Sequence, residues 1–106
     1  MICRIYDVPG ATLDQYDAVD RQLGPETPDG AHLHIAGKTE DGFRVIEVWD
    51  SPVHIERFMD SGLAQAMQEA QIPDATITEF EVHKLDWVPG LTVELGGELR
   101  MSGAGG

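Results

Sequence analysis

Two histidines, a glutamate and a tryptophan carry most of the chemistry this sequence offers. His32 and His34 are separated by a single residue, as are Glu47 and Trp49, in segments rich in apolar and β-branched residues. Side chains alternate faces along a strand, so each pair points one way. Between the segments, Glu40-Asp41-Gly42 is a hairpin signal. A hairpin centred on Glu40 and Asp41 sets position 34 opposite 47 and position 32 opposite 49, with all four side chains on one face; an odd loop or a bulge breaks that arrangement. A carboxylate beside an imidazole fixes the ring's tautomer and makes a general base for a phenol or an activated C–H. The competing reading is a cross-strand hydrogen bond that only satisfies two polar groups. His34 and Glu47 are the candidate catalytic pair, and His83, in the last expected strand on a face the pattern does not fix, is a second candidate acid or base.

Other residues invite narrower readings. His32-x-His34 with Glu47 has the composition of a two-histidine, one-carboxylate metal site. Spacing this short arises often by chance, and no metal or other cofactor is expected. Arg4 and Tyr6 share a face of the first strand. A buried arginine needs a carboxylate or an anionic ligand, and Glu79 or Glu81 on the neighbouring strand is the simpler partner. His54, in the first turn of the second helix, is expected to be exposed, and Cys3 to be a small buried side chain.

The elements that position these residues follow from local signals. Residues 2 to 8 read as a strand stopped by Pro9-Gly10. Thr12 and Gln15 have the spacing of a capping box, and Leu13, Tyr16, Val19 and Leu23 form the apolar stripe of a helix that Gly24-Pro25 ends. A loop from Gly24 to Gly30 leads to strands Ala31 to Lys38 and Phe43 to Asp50. Ser51-Pro52 starts a second helix, with Ile55, Phe58, Met59, Leu63, Ala66, Met67 and Ala70 as its buried stripe and Gly62 as a point of division. Pro73 ends it, and Ala75 to Leu85 is the fourth strand. The order βαββαβ is the split βαβ of ferredoxin-like α+β folds, with an antiparallel sheet ordered 4-1-3-2 and both helices on one face. Val45 faces one way while Ile46 and Val48 face the other, so the sheet is apolar on both sides and its second face needs a cover; a homodimer packing sheet on sheet supplies one. Residues 1–85 form this domain. Residues 86–106 are a glycine-rich tail in which Leu91, Val93 and Leu95 alternate as in one more short strand, and Gly103 to Gly106 reads as frayed.

Composition narrows the partners. The 106 residues are 42% hydrophobic, enough for a core, and seven Lys+Arg stand against 19 Asp+Glu for a formal charge of −12. So negative a chain repels phosphate backbones and anionic lipid, which argues against nucleic acid and membrane partners. A single cysteine excludes an internal disulfide framework. With no apolar run near the ~18 residues of a membrane span and no signal-like start, a cytoplasmic location is expected.

With the elements placed, Phe43-Arg44-Val45-Ile46-Glu47-Val48-Trp49-Asp50-Ser51, followed by Phe58 one helical stretch later, resembles the dimeric α/β-barrel superfamily, nearest to antibiotic biosynthesis monooxygenase-like domains. His34-Ile35-Ala36-Gly37 in the preceding strand shares the resemblance, which covers roughly residues 2 to 85. It implies a dimer of ferredoxin-like units and a pocket between sheet and helices at the Trp49 position. His32, His34 and Glu47 would lie in that pocket, and His32, Trp49, Tyr6 and Arg4 would bind substrate. The superfamily includes cofactor-free oxygenases of phenolic polyketides, polyketide cyclases and haem-degrading enzymes. For the haem-degrading branch Trp49 matches, but Gln68 stands near the axial histidine position and Tyr6 or Asp7 near an asparagine, so two of three positions depart. The implied activity is that of a small cofactor-independent enzyme on an aromatic or polyketide-like molecule, by His34-mediated proton abstraction followed by oxygenation or ring closure. The alternative is a non-catalytic ligand-binding or dimerisation domain of the same fold.

Overall fold

Apolar and β-branched residues from Ile2 onward form β1 (Ile2–Pro9), and Gly10, at φ 83°, turns the chain out of it. The capping box then starts α1 (Leu13–Leu23). The Gln15 N–H donates to Thr12 Oγ1 at 3.2 Å, and the Thr12 N–H donates to Gln15 Oε1 at 2.8 Å, so two otherwise orphaned donors satisfy each other's residues. Gly24, at φ 82°, closes the helix with its N–H on the Asp20 carbonyl. Strands β2 (Ala31–Lys38) and β3 (Gly42–Trp49) form the hairpin. Helix α2 (Pro52–Phe58), a kinked segment at Met59–Leu63 and α3 (Ala64–Glu69) follow, then β4 (Thr76–Glu81). This computed structural model describes residues 1–86 together with the strands β5 (Leu91–Val93) and β6 (Leu99–Met101), which pair antiparallel in a sheet of their own. The expected fraying of Gly103 to Gly106 lies outside the described residues.

The main sheet is antiparallel throughout and ordered β2-β3-β1-β4, the order expected of a ferredoxin-like βαββαβ unit. Its register sorts the side chains into rows. On the helix-covered face, Val8 opposes Phe43 and Tyr6 opposes Val45. These residues join Ala11, Tyr16 and Ile72 in the core. The next row runs Glu79, Arg4, Glu47, His34 across all four strands. Beyond it Trp49 is 1% exposed, with the Phe58 ring 5.6 Å away, centroid to centroid. On the opposite face two rows are apolar or nearly so, Phe80, Cys3, Val48, Leu33 and Thr78, Ile5, Ile46, Ile35. The row after them is polar, and there Arg44 Nε donates to Asp7 Oδ1 at 2.6 Å.

The helical layer has two targets. Helix α2 lies on β3, whereas α3 and the kinked segment before it lie against α1. Gly62, at φ 142°, divides the second helical stretch as expected. Gln15 Nε2 also ties α1 to the end of α3, donating to the Ala70 and Gln71 carbonyls at 3.2 and 3.1 Å.

Three expectations are corrected. Strand β4 ends at Glu81 and not at Leu85, because its partner runs out: Ile2 is opposite Glu81, and the Val82 N–H already reaches the Met1 carbonyl at 2.9 Å. His83 therefore lies past the strand, exposed. His54 is not exposed but half-buried, with its Nδ1 2.8 Å from Ser51 Oγ. Ser51 is the N-cap residue of α2, yet its hydroxyl engages that ring and caps no backbone N–H.

Candidate functional site

Between the helix-covered face and the helices lies a cleft of about 1220 Å³. Its walls come from β1, β2 and β3, from α1, from the second helical stretch, and from the loop after Gly24. Five aromatic rings line it: Tyr6, Tyr16, Phe43, Trp49 and Phe58.

The cleft's polar centre is Glu47, the one buried charged residue among those described. Antiparallel pairing sets it opposite His34, and the His34 Nδ1 is 3.0 Å from Glu47 Oε2. The other carboxylate oxygen, Oε1, accepts the Trp49 Nε1–H at 3.2 Å. On the far side of the imidazole, the Tyr16 hydroxyl of α1 is 2.7 Å from Nε2, and the two rings stack at 6.0 Å. An ionised carboxylate only accepts, so Nδ1 carries the ring proton and donates it to Glu47. Nε2 is then the acceptor of the Tyr16 O–H. The chain Tyr16 → His34 → Glu47 ← Trp49 leaves every side-chain polar atom partnered. It also presents a proton-accepting nitrogen, capped by a phenol, at the cleft wall.

His32 departs from the expected pairing. The hairpin register is intact from Lys38 to Leu33, but a bulge follows, and Ala31 rather than His32 stands opposite Trp49. The inserted residue is unpaired. The His32 ring still lines the cleft, but its Nε2 bonds Asp50 Oδ1 at 2.6 Å. That hydrogen bond holds the Asp50 carboxyl below the usual carboxylate range. His32, His34 and Glu47 do not converge, and among the described residues no three His, Cys, Asp or Glu side chains are placed to hold a metal ion.

Of the other expected site residues, Tyr6 and Trp49 line the cleft, while Arg4 and His83 do not. Arg4 is held by Glu79, with Nε and Nη2 at 2.7 and 2.6 Å from the same oxygen. That pairing is the simpler of the two readings of its burial. Burial pushes the Tyr6 hydroxyl up, with the Arg4 guanidinium beside it acting in the opposite sense. Burial also pushes the Tyr16 hydroxyl up, and the negative charges of Asp20, Glu47 and Asp17 add to it. Both phenols therefore stay protonated. On the other sheet face, burial raises the Cys3 thiol. Sequence reasoning missed Tyr16 as a functional residue, because at its place in the α1 stripe a ring reads as core. The one available signal was a hydroxyl-bearing ring on the helix face turned toward a histidine strand.

No known family's sequence profile matches the chain, and no curated protein sequence matches it at a significant level. Among solved structures, the chain is similar to a Deinococcus radiodurans protein described as a "putative antibiotic biosynthesis monooxygenase", with a TM-score of 0.57 and 20% identity, over 85% of this chain and 100% of that one. At that identity the likeness is one of fold. No helix among the described residues is long and apolar enough to cross a membrane. Sheet order, the helices on one face and this match together give the chain a ferredoxin-like fold, shared with that protein.

Proposed function

We propose that the cleft is the active site of a small cofactor-independent enzyme that removes a proton from an aromatic or polyketide-like molecule. The observation that carries this reading is the chain Tyr16–His34–Glu47 at the wall of an aromatic cleft. A phenolic or enolic O–H, or an activated C–H, gives its proton to the Tyr16 oxygen as the Tyr16 proton moves onto His34 Nε2. Glu47 then faces an imidazolium and offsets its charge. No free tyrosinate forms, which suits a hydroxyl that burial keeps protonated. The substrate is left as an electron-rich anion beside the imidazolium, able to react with O2 or to close a ring.

The test is turnover of phenolic and polyketide-like substrates by the protein and by His34→Ala. Loss of a general base lowers the rate by ~10²–10⁴-fold, and the fold is expected to survive because the ring is about half exposed. Equal turnover by the variant, or lost stability with no site-specific defect, would assign the histidine a structural role.

We also propose that the two apolar rows on the open sheet face join two copies of the chain. Ile35 and Phe80 are 50% and 52% exposed there, and a sheet apolar on both sides calls for a cover on each. Light scattering at micromolar concentration is expected to give twice the 11.6 kDa chain mass. A stable monomer would overturn the dimer.

A further inference from the structure

The cleft combines aromatic walls with a rim of one sign. Asp20, Glu26 and Asp74 line its mouth, all exposed, against the single guanidinium of Arg21. Among the described residues none of these three carboxylates is in an ion pair. Arg4, behind the Tyr6 hydroxyl, is paired with Glu79 and is not itself part of the lining. Deeper in, Glu47 adds a further negative charge. Tyr6, Tyr16 and Phe58, the partly exposed rings of the lining, offer negative π-faces, which attract ammonium groups within about 6 Å of a ring centroid. An overall charge of −12 deepens the same potential.

From these facts we infer that the cleft selects an aromatic ligand bearing a protonated amine, and disfavours the carboxylate-bearing or phosphorylated analogue of the same ring. The inference rests on the cleft being the ligand site, as proposed above, and it narrows the substrate class. It also bears on the chemistry. Proton removal from a cationic phenol leaves a net-neutral species, so the acidic rim does not oppose the step as it would for a substrate already anionic. Burial is the larger cause of the rise in the Tyr16 hydroxyl, and the smaller part that Asp20, Glu47 and Asp17 add is in keeping with negative potential where the ligand would sit.

Three probes of one ring and three charges test this: tyramine, para-cresol and para-hydroxyphenylacetate, titrated into the intact protein by calorimetry. Tyramine is expected to bind about tenfold or more tightly than para-hydroxyphenylacetate, with para-cresol between, since several weak ion pairs change sign together. Raising the ionic strength to ~1 M should shrink the preference, and so should Asp20→Asn combined with Asp74→Asn, whose fold circular dichroism verifies. If para-cresol binds but tyramine has no advantage over the anion, charge selection is overturned while the cleft reading stands. If tyramine's advantage is unchanged in the double variant and at high salt, the rim is not its source and the inference again falls. Failure of all three to bind overturns both readings. A rim-dependent tyramine preference with turnover unaffected by His34→Ala upholds charge selection and overturns the proton-abstraction reading alone.

Discussion

Tyr16 and His34 meet from different elements and in two ways at once, hydroxyl to Nε2 at 2.7 Å and ring over ring at 6.0 Å. The hydrogen bond fixes where a proton passes, and the stack fixes the plane in which the imidazole sits. Because Glu47 holds the opposite ring nitrogen, the histidine is gripped on two edges and one face.

Tyr16→Phe separates these functions. The stack survives, the hydroxyl is lost, and a relay through Tyr16 is broken. Turnover is expected to fall by ~10²-fold or more, while stability changes by about 1 kcal/mol for one hydrogen bond. Steady-state kinetics alongside a denaturant titration checks both. Full activity in the variant would mean that substrate reaches Nε2 directly.

The chain has two tyrosines, and both line the cleft, so tyrosinate absorbance reports on the site alone. Burial raises both hydroxyls, and both are expected to ionise above the ordinary tyrosine value of about 10. The folded state then holds these protons to higher pH than the unfolded chain. The associated stability is intact below that value and is lost as pH rises through the folded values. An ultraviolet titration showing ordinary ionisation of both phenols would contradict their burial.

His32→Ala tests the bulge. Without the imidazole, the Asp50 carboxyl is expected to return toward the usual carboxylate range, read by NMR titration of its side chain. The depressed value contributes stability above the ordinary carboxylate pKa that is lost as pH falls through the folded one, and the variant removes this acid dependence. His34 chemistry should be unchanged, since the two histidines have separate partners.

Gly62→Ala tests the division of the second helical stretch. At φ 142° an L side chain is strained, although an added Cβ would meet nothing within 4 Å. The cost is expected to be purely conformational, roughly 1–3 kcal/mol, with calorimetric unfolding as the readout. A neutral substitution would indicate that the turn readily adopts another conformation.

Much of the architecture was written in short-range signals. Thr12 with Gln15, Ser51-Pro52 and the Glu40-Asp41-Gly42 turn each mark a boundary where the structure has one, and hairpin parity alone sets His34 opposite Glu47. What local pattern missed depended on other strands. The bulge at His32 leaves no mark in residue types, so the expected contact with Trp49 gave way to one with Asp50. The end of β4 depends on where β1 begins, which removed His83 from the sheet. Tyr16 was read as core because a helical stripe reports which side is inward, not what its polar atoms will touch.

The kink at Gly62, within Met59–Leu63, has a consequence for the layer it sits in. At φ 142° Gly62 lies outside helical geometry, so the helix breaks there and α3 starts on a bearing of its own. A stripe that is continuous in sequence, from Ile55 to Ala70, is thereby divided between two bearing surfaces, β3 before the kink and α1 after it. Phe58 before the kink and Met67 after it both line the cleft. Any change that regularised the helix would rotate one of these two side chains out of the wall, altering the shape of the cleft without touching a polar group.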